Sequence, residues 1–570
     1  MLTRGSSNLS RIVSLVGLML LSAGCSGPAQ PGSTSATPTD RASTQSARST
    51  RYDDLVSLFA EWRAFQRPAL VNGVPDYTAA AMATQHKALA GYQSRLAAID
   101  PSGWPIPQQA DYHVVRAEMN GLDFDHRVRR PWATNPAFYA TIFPSESDQP
   151  AREGPFAYGA VELWSYHFPL SAGDADAIAA GVRAVPALLT QAKTNLTGNG
   201  KDLWIYGARD MRQQSADLQA LAARLTTSQG ALAQDVERAR VATDEFSAWL
   251  EKEAASKTGP SAIGVDNYDW YLQQVMLLPY TWRDLVTLME RELARAHTSL
   301  ALEEIKNASL PQQTPVSSAD EHARRFTAAV SEYIAFLRDR RIMTVRDYMQ
   351  PALQARIGTF SPGPREFFTE VDYRDPEVMR THGYHWFDKG RLIHLPHASP
   401  IRKGPLLYNI FITRTEGFAT GWEEMMMHAG MFDARPRTRE LIYILVAQRA
   451  ARALGDLRMH GEQASLESAA AFAAAHTPRG WLRLDGNLVR SEQHLYLQQP
   501  GYGISYLTGK IEAEKLTADR KRQLGDRFTM AQFMDEFDAA GLIPMSLLRW
   551  ELTGELAPEI ARMLAAKTTH

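Results

Sequence analysis

The sequence predicts a mainly α-helical protein with at most a few short strands. Three observations carry that reading. Apolar residues recur at helical spacing in segment after segment, and the period-two alternation of half-buried strands is rare. The composition is that of an ordinary globular body: 570 residues, 45% hydrophobic and 22% charged, with a formal charge of -2. That near-neutral balance leaves no basic footprint for nucleic acid. No fixed-period repeat points to a solenoid.

In chain order, the first element precedes the body. Arg4 and Arg11 form a positive segment with no acid, and an apolar run from Ile12 to Gly24 follows. The run is short for a membrane-spanning helix and has the length of a signal-peptide core. It ends in Leu21-Ser22-Ala23-Gly24-Cys25, which resembles a lipobox, with Leu21 standing four rather than three before the cysteine. Residues 1–24 are therefore expected to be a lipoprotein signal peptide, and Cys25 the lipidation site. Residues 25–50 are rich in Ser, Thr, Pro, Gly, Ala and Gln, with little to bury. Such a segment reads as a disordered tether. These features predict attachment to a membrane through lipid on Cys25, in the bacterial cell envelope. Ser26, where an Asp would signal inner-membrane retention, favours the outer membrane, facing the periplasm. Cys25 is the only cysteine, so the body holds no disulfide.

Residues 51–570 read as one large helical domain. In 52–65, Leu55, Leu58, Phe59 and Trp62 share a stripe, the spacing of an amphipathic helix. The same pattern predicts helices over 79–99, 108–128, 174–196, 201–225, 232–255, 282–305 and 319–340. Further helices are expected over 408–427, 437–459, 503–516, 530–540 and 544–552. The least helical stretch is 350–404, where Pro, Gly, His and aromatics cluster. A short strand or hairpin is expected within 348–368 or 385–394. A junction between two lobes would also fall in this stretch.

Three clusters carry candidate chemistry. The first is Thr381-His382-Gly383-Tyr384-His385 with Ile393-His394-Leu395-Pro396-His397. Histidine is the commonest metal ligand, although Pro396 interrupts any regular helix between the last two. The second is Arg414-Thr415-Glu416-Gly417-Phe418-Ala419-Thr420-Gly421-Trp422-Glu423-Glu424. On a helix, Glu416, Thr420 and Glu423 share a face, and Gly417 lets another backbone or a ligand come close. The third is the helix with Arg449, Arg452, Asp456 and His460 at offsets 0, 3, 7 and 11, one polar stripe among apolar neighbours. There Asp456 can orient His460, and the arginines can hold an anion or form a salt-bridge network. HExxH, Gly-x-Ser-x-Gly and phosphate-loop motifs are absent from the sequence.

The second and third clusters, with Pro500-Gly501-Tyr502-Gly503-Ile504-Ser505-Tyr506-Leu507-Thr508-Gly509 downstream and Asn267-Tyr268-Asp269-Trp270 upstream, resemble the bacterial domain of unknown function 885. Its hallmarks are Glu-Gly-Trp-Ala-Leu-Tyr-Ala-Glu, an Arg-Ala-Ala-Arg helix ending in His, and Pro-Gly-Gln-Ala-x-Ser-Tyr. The family is similar to helical zinc metallopeptidases, so the resemblance implies a large helical zincin-like body with Glu416, Asp456, His460, Tyr506 and Arg449 in its catalytic centre. Typical members also carry His-Glu-x-x-Pro-Gly-His-His before the Glu-Gly motif. Here no glutamate follows a histidine between Tyr384 and His397. The main zinc-ligand motif is missing.

Two functions are compatible with these residues. The first is an envelope lipoprotein with a metallopeptidase-like scaffold that is catalytically inactive and binds a ligand such as a peptide. The second is an active metal-dependent hydrolase with a rebuilt zinc site. In that site His385, His394 or His397 joins Glu416, and Asp388 or Glu423 serves as base. A purely structural envelope role is the third reading, since a fold does not fix a function.

Overall fold

The computed structural model describes residues 48–226 and 229–566. The expected signal peptide at 1–24, Cys25 and the tether up to residue 47 lie outside the described residues.

The N-terminal part holds α1 (Tyr52–Phe65), α2 (Ala79–Ala97), α3 (Ile106–Phe124) and the single turn α4 (Pro131–Thr134). Three long helices follow, α5 (Ala172–Asn195), α6 (Lys201–Ala223) and α7 (Gly230–Ala254). Next come α8 (Val265–Gln274), α9 (Trp282–Lys306) and α10 (Ala319–Asp339). Four short helices succeed them: α11 (Met349–Gln354), α12 (Phe367–Arg374), α13 (Pro376–His382) and α14 (Tyr384–His394). The C-terminal part comprises α15 (Ile412–His428), α16 (Thr438–His460), α17 (Leu466–His476), α18 (Leu488–Gln498) and α19 (Tyr502–Leu524). It closes with α20 (Met530–Ala539), α21 (Met545–Thr553) and α22 (Pro558–Ala565).

The helices start where local chemistry allows. Ser171, Ser318 and Thr529 accept hydrogen bonds from the first turns of α5, α10 and α20, and Thr281 with Asp284 forms a capping box at α9. Such caps satisfy amides that have no partner within the helix. Leu55, Leu58, Phe59 and Trp62 are the buried stripe of α1, as their spacing predicts. One apolar core joins α1 and α3 to the C-terminal helices, and α5, α6 and α7 enclose another.

The strands fall elsewhere than expected. Leu70–Val71 pairs antiparallel with Val74–Pro75, and Ile142–Phe143 pairs parallel with Val161–Glu162. Residues 385–394 are helical, and 348–368 holds α11, a loop and the start of α12. The aromatics that suggested strands are the buried sides of short helices: Phe367 in α12, Tyr384 and Phe387 in α14. Helices of two or three turns show too few periods to be read.

Two glycines determine how the central helices meet. Gly417 of α15 and Gly509 of α19 cross backbone to backbone, and a Cβ on Gly509 would lie 2.7 Å from the Gly417 Cα. Any side chain at either position would force the helices apart. The crossing turns Glu416, next to Gly417, toward the N-terminal end of α19. α16 lies beneath, with all but one of its residues from Leu441 to His460 buried.

Candidate functional site

Glu416 is the hub. It is 3% exposed and receives side chains from three directions. From α19, the Tyr502 hydroxyl donates to Oε1 at 2.9 Å. From the loop between the two parallel strands, the Gln149 amide donates to the same oxygen at 3.0 Å, while its carbonyl accepts from the Thr415 hydroxyl at 2.6 Å. From the joint of α13 and α14 come two histidines. His385 Nε2 lies 3.3 Å from Glu416 Oε2 and His382 Nε2 lies 3.9 Å from it. Beyond this ion pair with each other and the contact to His382, neither His385 Nε2 nor Glu416 Oε2 has a hydrogen-bond partner, although both are buried. Asp148 completes the group: it, His382 and His385 each offer a ligand atom within 4.8 Å of the others.

The local sequence explains the convergence. Asp375 and Pro376 start α13, and Gly383 breaks the chain between α13 and α14. His382 and His385 therefore flank a joint and present their rings nearly at right angles, 4.9 Å apart. The other nitrogen of His382, Nδ1, lies 2.9 Å from Glu423 Oε1. Both Glu423 oxygens accept from Arg449 at 2.7 Å. A carboxylate on the far nitrogen orients a ligating histidine.

The charges are mutually tuned. Burial opposes ionisation of Glu416, but His385 and His382 outweigh it and hold the carboxyl at about 2. Burial likewise opposes the charge on His385, but Asp148 and Glu416 hold the imidazole up at about 9. Burial and the neighbouring charges of Asp148 and Glu416 lift Glu153 to about 7. Its Oε1 is 3.4 Å from the Tyr502 hydroxyl. His382, His385 and Asp148 line a cavity of about 730 Å³, with Phe368, Asp372 and Arg380 on its other walls.

The other expected site residues divide clearly. His394 stacks on Tyr348, and His397 accepts from the Ser399 amide at 3.0 Å beside buried Arg402. Neither joins the cluster around Glu416, because Pro396 and the end of α14 carry them away along the chain. His382 takes the place expected for them. Asp388 receives two hydrogen bonds of 3.0 Å from Arg414, and Glu423 is saturated by Arg449 and His382, so neither offers a free base. Asp456 accepts from the Gly503 amide at 2.8 Å and from Tyr268 at 3.2 Å. His460, 3.8 Å from Asp456, bonds the Tyr496 carbonyl. Asp456 anchors the first turn of α19 and so positions Tyr502, while His460 holds α18. The Tyr506 ring lies over the guanidinium groups of Arg449 and Arg452, at 5.9 and 5.1 Å.

Sequence reasoning missed Asp148, Gln149, Glu153 and Tyr502. The first three lie in an irregular loop more than two hundred residues before the histidines, with no periodic signal. Tyr502 stands where the resembled motif has Gln, and that substitution was the available clue.

A largely helical body with a buried cluster of histidines and carboxylates between α13, α14, α15 and α19 defines the class. The chain belongs to the family described as bacterial protein of unknown function (DUF885), whose model matches residues 71–410 and 390–552. No curated protein matches it. A protein of Shewanella oneidensis, described as a candidate lipoprotein of unknown function, shares the fold with a TM-score of 0.64 at 15% identity, over 88% of this chain and 98% of that one. A candidate lipoprotein of Colwellia psychrerythraea does so with a TM-score of 0.60 at 14% identity, over 90% and 99%. Among the described residues no helix is long and apolar enough to cross a membrane.

Proposed function

We propose that this protein is a lipid-anchored envelope hydrolase of the metal-dependent, peptidase-like type. One observation carries the reading: His385 Nε2 and His382 Nε2 lie 3.3 and 3.9 Å from Glu416 Oε2, Asp148 offers a ligand atom within 4.8 Å of both histidines, and the buried His385 Nε2 and Glu416 Oε2 meet no polar partner outside this cluster. Burying these polar atoms with no contacts beyond the cluster is costly, so a group that binds them is expected there. Two imidazoles and carboxylates are a donor set for zinc. Lipid anchorage is supported by the Leu21-to-Cys25 segment and by the description of both structural neighbours as candidate lipoproteins.

His382, His385 and Glu416 would hold the ion, with Asp148 beside them. A divalent ion bound there would polarise a carbonyl and acidify water. Glu153 would act as the base, taking a proton from the attacking water as the carbon–oxygen bond forms and returning it to the leaving amine as the carbon–nitrogen bond breaks. Tyr502, between Glu153 and Glu416, holds both carboxylates in register. The inactive, ligand-binding reading has its own support. Both acids expected from the sequence to act as base, Asp388 and Glu423, are bound by arginine, and Glu153 approaches only through Tyr502.

Metal content tests the proposal. The full chain, purified without a chelating tag, is equilibrated with zinc and dialysed. We expect about one zinc per chain, lost in Glu416→Ala and weakened at least about tenfold in His382→Ala, with His394→Ala unchanged. Absence of bound zinc, or retention in Glu416→Ala, sinks the hydrolase reading. If zinc binds as expected and no peptide pool is cut, the inactive reading stands.

A further inference from the structure

Beyond Glu416, α16 and α18 bring together a second group of buried polar atoms without partners: Arg449 Nε and Arg452 Nε and Nη2 from α16, and Glu492 Oε2 and Tyr496 Oη from α18. Arg452 is 1% exposed. Its Nη1 is bound to Glu492, while Nε and Nη2, which form one edge of the guanidinium plane, are open. Arg449 differs: both its terminal nitrogens are taken by Glu423.

The Arg452 guanidinium lies behind the wall of the candidate site's cavity. The Arg452 guanidinium carbon lies 5.1 Å from the Tyr506 ring centre and 5.8 Å from that of Phe368. Phe368 belongs to the wall of the cavity that holds His382, His385 and Asp148. Tyr506 lies 6.0 Å from the ring of Tyr502, whose hydroxyl binds Glu416. Two parallel N–H donors on a rigid planar edge match the two oxygens of a carboxylate, and this geometry distinguishes arginine from lysine. A desolvated cation with an unfilled edge, between two aromatic rings, is costly unless something fills it.

We propose that the Nε–Nη2 edge of Arg452 binds the carboxylate of the ligand, and that the ligand class is short peptides with a free C-terminus. The unpartnered Glu492 Oε2 and Tyr496 Oη supply further hydrogen bonds to the same polar end. Burial lifts the Glu492 carboxyl to about 7, against the pull of Arg452. The assignment rests on the hydrolase reading only for the cleavage step: a peptide anchored by its terminus would present a bond close to that terminus to Glu153 and the cluster around Glu416. Carboxylate binding itself needs no metal.

The test uses fluorescence anisotropy on the metal-free full chain, where hydrolysis does not interfere. The probes are two pools of N-terminally fluorescein-labelled mixed-sequence tripeptides, one with free C-termini and one with C-terminal amides. We expect the acid pool to bind at least about tenfold more tightly. Arg452→Lys, which keeps the charge and loses the edge, should abolish that preference while its zinc content matches wild type. Equal binding of the two pools, binding of neither, or a preference that survives in Arg452→Lys overturns the proposal. Should Arg452→Lys fail to fold by circular dichroism, competition on the wild-type chain decides: Gly-Gly must displace the acid pool at a concentration at least about tenfold lower than Gly-Gly amide does. An acid preference in a chain that never binds zinc keeps this proposal and removes the hydrolase reading. Zinc binding without an acid preference does the reverse.

Discussion

Asp456 acts on the site at one remove. It accepts the Gly503 amide at the start of α19 and the Tyr268 hydroxyl, and a Cβ on Gly503 would sit 2.9 Å from its own Cβ. Only a glycine fits against it. Burial lifts the Asp456 carboxyl from 3.8 to about 8, against the pull of the Gly503 amide and Tyr268. Between those values the native state holds a proton that the unfolded chain releases, so this residue's contribution to stability falls as pH rises from about 4 to about 8. Burial pushes neighbouring His460 down from 6.5 to about 4. There the unfolded chain binds the extra proton, so the His460 contribution rises with pH up to about 6.5 and then levels off. Above 6.5 only the Asp456 slope is left of the pair. Asp456→Asn keeps an acceptor for Gly503 and removes the titration. Its melting temperature relative to wild type should therefore climb between pH 6.5 and 8, on the order of 1–3 °C. Parallel melting curves for the two proteins across that range would refute the assignment.

At the scale of elements, the crossing of α15 and α19 carries the site. The approach of Gly417 to Gly509 lets Tyr502, two turns earlier on α19, reach Glu416. Gly509→Ala would put a methyl group into the Thr413 carbonyl and the Gly417 Cα. Overpacking of this kind costs about 1–3 kcal/mol, and more where backbone must move. The expected result is a lower melting temperature and zinc affinity weakened by at least about tenfold. Gly91 of α2, with nothing within 4 Å of its would-be Cβ, is the control: Gly91→Ala should leave zinc binding untouched. Intact zinc binding in a destabilised Gly509→Ala would mean that the crossing supports the fold without positioning the ligands. The Glu-Gly pair was legible in the sequence because glycine beside a buried acid has few other uses in a helix. The helix pair that supplies the histidines was not: α13 and α14 span seven and eleven residues, too short to show a period, and their Gly383 joint looked like loop.

At the scale of the whole molecule, the legible and the illegible parts differ by sequence distance. Long helices such as α5, α6, α7, α9 and α16 announce themselves through many turns of apolar spacing. The site does not, because it assembles Asp148, Gln149 and Glu153 with His382, His385, Glu416 and Tyr502. Nothing local in the 144–160 loop marks it as the partner of a helix joint more than two hundred residues on. That assembly makes a prediction for the intact chain. A ligand that binds only the assembled site stabilises every segment whose opening would break it, by about 2.7 kcal/mol at one hundred times its dissociation constant. Amide exchange through such openings should slow by about a hundredfold when zinc is added. We expect this at 145–153 and at 380–386 together, and no change within α5, α6 and α7, which form their own core. In Glu416→Ala, zinc should leave both segments unchanged. Slowing at 380–386 alone would show that the histidines bind metal without the loop. Asp148 and Glu153 would then lose the roles given to them, and the base would have to be sought among the residues that line the cavity.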